Sequence, residues 1–164
     1  MCMTITRTAG LSLAGAIVGL WACGGAQAET FKTTSGRAIY VPVSTEATKQ
    51  ADGSTVLRMS TTGISTADLP FPFDFEKHQC NATAHIAADG KSGRTHGYCE
   101  ILSSKGDRAA FTYVGDLTGG RWTMVEGTGA DAYAGAKGGG TYKVKYTMPT
   151  GELVSDWDGT WQTD

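Results

Sequence analysis

Hydrophobic and polar residues alternate along most of the chain after residue 28, a pattern typical of strands with one buried face. The run "TYKVKYTM" is the clearest example, because large apolar side chains occupy every second position: Tyr142, Val144, Tyr146 and Met148. Turn-forming glycine, aspartate or asparagine bounds the other runs. We predict eight strands, near residues 31–43, 54–61, 74–88, 94–103, 108–115, 121–127, 140–148 and 152–162. Many short strands with close turns indicate an all-β fold, and we expect a single antiparallel barrel.

The glycine-rich run "GTGADAYAGAKGGGTYKVKY", residues 127–146, does not fit a phosphate-binding loop. A P-loop needs a Gly-Lys-Ser/Thr ending, whereas Lys137 here precedes a glycine triplet. A dinucleotide-binding fingerprint needs a third glycine, which is missing after Gly129. Glycine also allows positive φ and sharp bends in strands. The run therefore predicts corners of a barrel.

The first 28 residues have the features of a secretory signal peptide. Arg7 is their single charged side chain, an apolar run from Leu11 to Trp21 follows, and Ala26-Gln27-Ala28 forms an A-x-A ending. The apolar run is shorter than the ~20 residues that cross a bilayer as a helix. We predict a leader over residues 1–28 and one β-barrel domain over residues 29–164, with no transmembrane segment in the mature chain.

A lipoprotein leader is the alternative. "LWAC", Leu20 to Cys23, resembles the lipobox of bacterial lipoproteins, in which the cysteine becomes the lipidated N-terminus. Trp21 is unusual at the second position of that motif, so we favour cleavage after Ala28. Either route exports the chain to the periplasm or the exterior.

Two cysteines remain after residue 28, and a cysteine pair in an exported chain most often forms a disulfide. Asp89-Gly90 is a strong signal for a two-residue type I′ turn, which pairs residues whose numbers sum to 179. Cys80 then lies opposite Cys99, and we predict the bond between them. That register places the pair at a hydrogen-bonded site, which is unusual for a cross-strand disulfide. A bulge or a longer loop through Ser92-Gly93 would change the register.

Charge excludes one class of partner. Removing residues 1–28 removes Arg7 and leaves 13 basic and 16 acidic side chains, a formal charge of −3. A nucleic-acid-binding domain would normally carry a basic stripe. We therefore expect no nucleic-acid partner.

The candidates for catalysis and metal binding are weak. In the 179 register His85 and His96 share one hairpin face, but the nearby Arg94 opposes a bound cation and no acidic third ligand is evident. We interpret that face as polar outer surface, and His78, which has the opposite parity, receives no role. No Gly-x-Ser-x-Gly elbow occurs. We assign no catalytic residue, metal or cofactor.

The segments "GYCEILSSKGDRAAFTYVGD" and "GRWTMVEGTGADAYAGAKGGGTY" carry a family resemblance. In their order, a Gly-Tyr-Cys strand, a Gly-Asp turn and a glycine-rich hairpin, they are similar to small exported bacterial proteins of the allene oxide cyclase and dirigent type. The resemblance covers roughly residues 78 to 162. It implies an eight-stranded, lipocalin-like antiparallel barrel and does not imply an activity.

Aromatic residues give the most direct pointer to function, because an eight-stranded barrel has room inside for side chains or for one small ligand. We expect a lumen that binds a small apolar molecule, and its predicted lining is Phe111, Tyr113, Trp122, Tyr142, Tyr146 and Trp157. Two alternatives stay open. One is a barrel isomerase or cyclase acting on a lipid-like substrate, which a buried charged residue in the lumen would favour. The other is a structural or interaction module, or an envelope lipoprotein, which a large exposed apolar patch would favour.

The leader and the disulfide can be tested together by intact-mass measurement of the protein purified from its own periplasm or culture medium. We expect the mass of Glu29–Asp164 less two hydrogens, because cleavage follows Ala28 and the two remaining cysteines are oxidised. A chain that begins at Cys23 and carries lipid would instead establish the lipoprotein route. A chain of the full 164 residues would contradict both.

Overall fold

The computed structural model describes residues 29–67, 69 and 71–163, with side chains from Gly36 onward. Eight antiparallel strands form a closed barrel in sequence order, and the first strand pairs with the last. The strands are β1 (Glu29–Lys49), β2 (Thr55–Ala67), β3 (Phe75–Ile86), β4 (Gly93–Ser103), β5 (Arg108–Asp116), β6 (Gly119–Met124), β7 (Lys137–Thr147) and β8 (Leu153–Thr163). The predicted all-β, eight-stranded antiparallel barrel is confirmed.

The strand bounds differ most from prediction in β1, which continues to Lys49. Residues 43–49 are all exposed, so no apolar alternation marks them. They nevertheless pair with the first half of β2, from Lys49 with Thr55 onward. Backbone hydrogen bonds between strands form whether or not one face of the strand is buried. The strand therefore continues beyond the point at which its hydrophobic pattern ends.

The β3–β4 hairpin has a four-residue loop instead of the predicted two-residue type I′ turn. The Ala87 N–H donates to the Ser92 carbonyl at 2.9 Å, which leaves residues 88–91 as the loop. Gly90 has φ 68°, but Asp89 lacks the positive φ that type I′ also requires. The register still sums to 179, as in the pair Ile86 and Gly93, because both loops are centred on the same dipeptide.

The longer loop also removes the difficulty with the disulfide. Ala87 and Ser92 form a hydrogen-bonded pair, and pair types alternate along an antiparallel ladder. Cys80 and Cys99 therefore occupy a non-hydrogen-bonded site, where the Cα atoms come closer. They are bonded, their Cα atoms are 4.0 Å apart, and both side chains are buried on the inner face.

Glycines stand directly across from the large aromatic residues of the inner face. Trp157 pairs with Gly36, and Tyr113 pairs with Gly97. A Cβ on Gly97 would lie 2.5 Å from the Tyr113 ring, closer than real Cβ contacts. Tyr40 and Gly63 form a third such pair, and the Trp122 ring lies over Gly159, where a Cβ would collide with it. The glycines let the aromatic rings lie flat against the wall.

Two loops close one end of the barrel, here called the closed end. The β2–β3 loop inserts Phe73 and the β6–β7 loop inserts Tyr133, and these side chains are 1% and 0% exposed. Their ring centroids are 5.6 Å apart, and Phe73 also packs against Trp161 at 4.7 Å. The opposite end, formed by the β1–β2, β3–β4, β5–β6 and β7–β8 turns, is called the open end.

The glycine-rich run forms part of this closure. It contains a single 3₁₀ turn, Asp131–Tyr133, flanked by Gly127 and Gly135 with φ of 78° and 67°. No helix among residues 29–67, 69 and 71–163 has the length and hydropathy needed to cross a bilayer.

The disulfide is expected to stabilise the barrel by about 3 kcal/mol, because it closes a chain segment with a sequence separation of 19. The variant Cys80→Ala/Cys99→Ala should lose this amount of unfolding free energy, measured by urea denaturation. Dithiothreitol should lower the wild-type value similarly and leave the variant unchanged. Equal stability of oxidised wild type and variant would show that the bond does not constrain the unfolded chain.

Candidate functional site

The lumen contains a buried polar cluster on the inner faces of β2 and β3. Ser65, Glu76 and His78 are 2%, 2% and 4% exposed. Glu76, His78 and Cys80 follow one another at alternate positions of β3, so strand parity directs all three inward. An ionisable pair on a face that otherwise buries apolar side chains marks this cluster as the candidate site.

Hydrogen bonds join the cluster into a chain. The Tyr133 hydroxyl lies 2.7 Å from Glu76 Oε1. The other carboxylate oxygen, Oε2, lies 3.1 Å from Ser65 Oγ and 3.4 Å from His78 Nε2. His78 Nε2 is also 3.0 Å from Ser65 Oγ, and its Nδ1 is 2.9 Å from the Tyr40 hydroxyl. The chain therefore runs from Tyr133 at the closed end to Tyr40 on β1.

Counting donors and acceptors assigns the protons. An ionised Glu76 accepts from Tyr133 and from Ser65, whose oxygen in turn accepts the Nε2 proton of His78. His78 Nδ1 then accepts the proton of Tyr40. Every member is satisfied in this arrangement. Moving the Tyr40 proton onto Nδ1 gives an imidazolium beside the Glu76 carboxylate and leaves a phenolate oxygen on Tyr40 that can accept one proton, with every hydrogen bond kept.

The predicted ligand-lining aromatics form most of the surrounding inner surface. Phe111 and Trp122 are 9% and 6% exposed, and their centroids are 6.3 Å apart. Trp157 packs edge-to-face against Trp122 at 6.0 Å. Tyr113 and Tyr142 face each other edge-on at 5.9 Å, and Tyr40, Tyr113 and Tyr142 are partly exposed. The structure brings these five predicted residues together on the inner wall.

Tyr146 does not join them, because it is 65% exposed on the outside of the barrel. The β7–β8 register shifts between Val144 and Tyr146, so that Val144 pairs with Ser155 and Tyr146 with Val154. Lys145 is the extra residue of this bulge. A bulge turns the following side chains to the opposite face, which the plain alternation of the sequence does not reveal.

Three tryptophans of the lumen differ in how their indole N–H groups are satisfied. Trp122 Nε1 donates to the Asp158 carbonyl at 3.0 Å. Trp157 Nε1 and Trp161 Nε1 are buried and have no hydrogen-bond partner among the described residues. Their rings are neighbours, with centroids 6.3 Å apart. An unsatisfied buried donor costs about 1–3 kcal/mol, so an acceptor oxygen placed beside these two N–H groups would be stabilising.

Three tyrosines of the lumen have pKa values above the usual value for tyrosine. Burial raises the pKa of Tyr113 to about 12, with a further contribution from Tyr142. Burial also raises the pKa of Tyr40, helped by Tyr113 and Glu76. The pKa of Tyr133 is raised by burial and then by the Glu76 carboxylate. All three hydroxyls therefore act as neutral donors near neutral pH.

The exposed histidines lie where the sequence places them, on the outer face of the β3–β4 hairpin. The His85 and His96 rings stack with centroids 6.5 Å apart. Among the described residues no group of three or more His, Cys, Asp or Glu side chains could hold a metal ion.

Sequence reasoning missed the residues that carry the polar chain. His78 received no role because its parity differs from that of His85 and His96, yet the same parity aligns it with the inward-facing Cys80. A Glu and a His at successive buried-face positions before a cysteine are the signal that could have found them. Tyr133 gives no such signal, since it comes from an irregular loop.

An alkaline titration tests the tyrosine environment. A raised folded-state pKa adds stability that is fully present below the unfolded pKa of about 10 and is lost as the pH rises through the folded value. The unfolding free energy should therefore fall between pH 10 and pH 12, by up to about 1.4 kcal/mol per pH unit for each such group. Urea denaturation at successive pH values measures the slope, and Tyr113→Phe should flatten it.

Tyr98→Phe on the outer wall is the matched control, because Tyr98 is 39% exposed. It should leave the slope unchanged. An equal slope in wild type and Tyr113→Phe would show that Tyr113 ionises as readily in the folded as in the unfolded chain.

Comparison with known proteins supports the fold. No protein-family model matches the chain, and no curated protein matches it at the threshold of significance. Solved structures similar to it include two dirigent proteins. The pterocarpan synthase dirigent protein GePTS1 is 12% identical with a TM-score of 0.50, over 96% of this chain and 99% of that one. The pterocarpan synthase dirigent protein PsPTS1 is 13% identical with a TM-score of 0.47, over 82% and 94%. At this identity the likeness to GePTS1 lies in the fold, the eight-stranded barrel that dirigent proteins share.

Proposed function

We propose that the chain is an exported barrel that binds a small, largely apolar molecule with an acceptor oxygen in its lumen. The ligand lies against the aromatic wall toward the open end. Trp157, Tyr113 and Tyr142 supply most of its contact surface, with Phe111 and Trp122 deeper in the barrel. Tyr146 lies on the outer wall and takes no part in binding.

The unsatisfied indole donors carry this proposal. Trp157 and Trp161 place two buried N–H groups without partners in an apolar aromatic surface. A ligand pocket is typically apolar with a few fixed polar groups that orient the bound molecule. Tyr113 and Tyr142, both partly exposed, leave the aromatic wall accessible from the open end.

Export is part of the proposal. The Cys80–Cys99 disulfide supports an oxidising compartment, in which such bonds form and persist. The leader over residues 1–28 lies outside the described residues, and its features in the sequence support cleavage after Ala28, with a lipid anchor at Cys23 as the alternative. The resemblance to exported bacterial barrels points the same way.

An interaction module is the second candidate, because apolar side chains lie exposed on the outer wall. Ile39, Val41 and Val43 of β1 are 43%, 43% and 69% exposed, and Ile64 of β2, which pairs with Ile39, is 42% exposed. Exposed apolar surface of this kind is typical of contact faces. The barrel would then act through its outside, and its lumen would bind nothing.

A pair of matched ligands separates the two functions. 2-Tetralone and tetralin share a bicyclic skeleton, and only the first carries a carbonyl oxygen. We expect both to quench tryptophan fluorescence on binding, with 2-tetralone bound more tightly because the indole donors reach its oxygen. Trp157→Phe should lower the affinity for 2-tetralone about tenfold, equivalent to ~1.4 kcal/mol, and leave tetralin nearly unchanged.

Two controls complete the design. Tyr142→Ala should weaken both ligands, since it removes shared contact surface, whereas Tyr146→Ala on the outer wall should affect neither. If neither ligand binds to the wild-type protein, the lumen proposal fails and the interaction module becomes the better explanation.

A further inference from the structure

The hydrogen-bonded chain of the lumen ends at Tyr40, the member of that chain whose side chain is not fully buried. Glu76 and His78 are almost fully buried, and the chain passes from them to Tyr40, which is partly exposed. The Tyr40 ring lies over Gly63, opposite it on β2. Tyr113 and Tyr142 are close enough to influence its ionisation. Tyr40 therefore lies where the buried acid–base groups meet the proposed ligand surface.

A purely structural role does not explain well the hydrogen-bonded chain of side chains from Tyr133 to Tyr40. The next inward positions of β3 after His78 are Cys80, Ala82 and Ala84, none of which carries a charge. Taking a carboxylate and an imidazole out of water is costly, and apolar replacements for a buried pair are often neutral or stabilising. A pair that costs stability and is connected to a ligand surface is the arrangement expected of proton-transfer groups.

We propose that Tyr40 is a catalytic acid–base residue, held in position by His78 and Glu76, for carbonyl compounds that carry an acidic C–H bond beside the carbonyl group. The inference rests on the proposed function, since the substrate is a ligand of the lumen. The substrate class follows from the side chains of the inner wall. An apolar skeleton can pack against the aromatic rings, and a carbonyl oxygen can accept from the indole N–H groups.

The proton balance closes within the chain. The Tyr40 oxygen takes the proton from the substrate carbon while its own proton passes to His78 Nδ1. The electron pair of the broken C–H bond forms the C=C bond of an enolate, and the carbonyl oxygen takes the negative charge. The imidazolium lies beside the Glu76 carboxylate until the proton returns through Tyr40. Return to the same carbon gives exchange when the Tyr40 hydroxyl has first exchanged its proton with water, and return to a conjugated carbon gives an isomer, with no other reactant consumed.

Hydrogen exchange measures this step directly. 2-Tetralone is incubated in D₂O with catalytic amounts of protein, and loss of its C1 proton signal is followed by NMR. We expect the wild-type protein to exceed the buffer rate at least tenfold, and Tyr40→Phe to return it to the buffer rate. Tyr40→Phe removes a single oxygen and keeps the ring over Gly63, so the barrel should still fold. Circular dichroism melting checks this.

The positioning residues have matched controls on the outer wall. His78→Gln and Glu76→Gln should each lower the exchange rate at least tenfold. His85→Gln and Glu100→Gln replace the same residue types at exposed positions and should leave it unchanged. Tyr98→Phe controls for the tyrosine substitution in the same way.

Ligand binding distinguishes positioning from simple loss of structure. His78→Gln and Glu76→Gln keep the aromatic wall, so each variant should bind 2-tetralone with an affinity close to that of the wild-type protein while its exchange rate falls. A loss of binding that parallels the loss of exchange would show that these two residues act only through the fold.

The outcomes of these experiments distinguish the acid–base assignment from the proposed function. Binding of 2-tetralone with no acceleration over buffer, or with acceleration that Tyr40→Phe retains, overturns the acid–base assignment and leaves ligand binding intact. Absence of 2-tetralone binding overturns the proposed function and the assignment with it. Acceleration that Tyr40→Phe abolishes, together with 2-tetralone binding that His78→Gln and Glu76→Gln retain, supports the assignment.

Discussion

The pairing of aromatic residues with glycine governs the interior of this barrel. An eight-stranded barrel has room for side chains from its own walls and little more. Rings as large as those of Trp122 and Trp157 fit because they lie over Gly159 and Gly36, which have no side chains. The rings then lie along the wall instead of filling the axis. This arrangement leaves space for the polar chain between Glu76 and Tyr40 and for the partly exposed tyrosines beyond it.

The strand pattern made most of the fold predictable. Alternation located all eight strands, because a barrel wall imposes a period of two on every strand it contains. The Asp89-Gly90 dipeptide indicated the β3–β4 register, and the positions of the two cysteines agreed with it. The errors arose where local geometry departs from that period. The bulge at Lys145 turned Tyr146 outward. The Asp89-Gly90 dipeptide indicated the centre of a loop correctly but not its length, which depends on backbone angles that both two-residue and four-residue loops can accommodate.

The candidate site was harder to predict because its members come from separate elements. Ser65, His78 and Tyr40 lie on three different strands, and only the closed barrel brings them within hydrogen-bond distance. Tyr133 arrives from a loop whose glycines gave a signal for bending but none for what the loop inserts. The general preference of aromatic residues for the interior was enough to predict residues of the inner wall. A buried carboxylate, in contrast, contradicts the usual preference of charged residues for the surface. A charged residue at an inward-facing position therefore indicates a candidate site, once it is known which positions of the strand face inward.

The covalent bond between Cys80 and Cys99 has a consequence beyond stability. It fixes β3 against β4 in one register, and a slip of a single residue would turn every side chain of β3 to the opposite face. Glu76 and His78 would then point to solvent and Lys77 and Gln79 into the lumen. The bond therefore fixes which side chains of β3 make up the interior. Because it joins two strands of one hairpin, it sets their alignment independently of how the remaining strands pair.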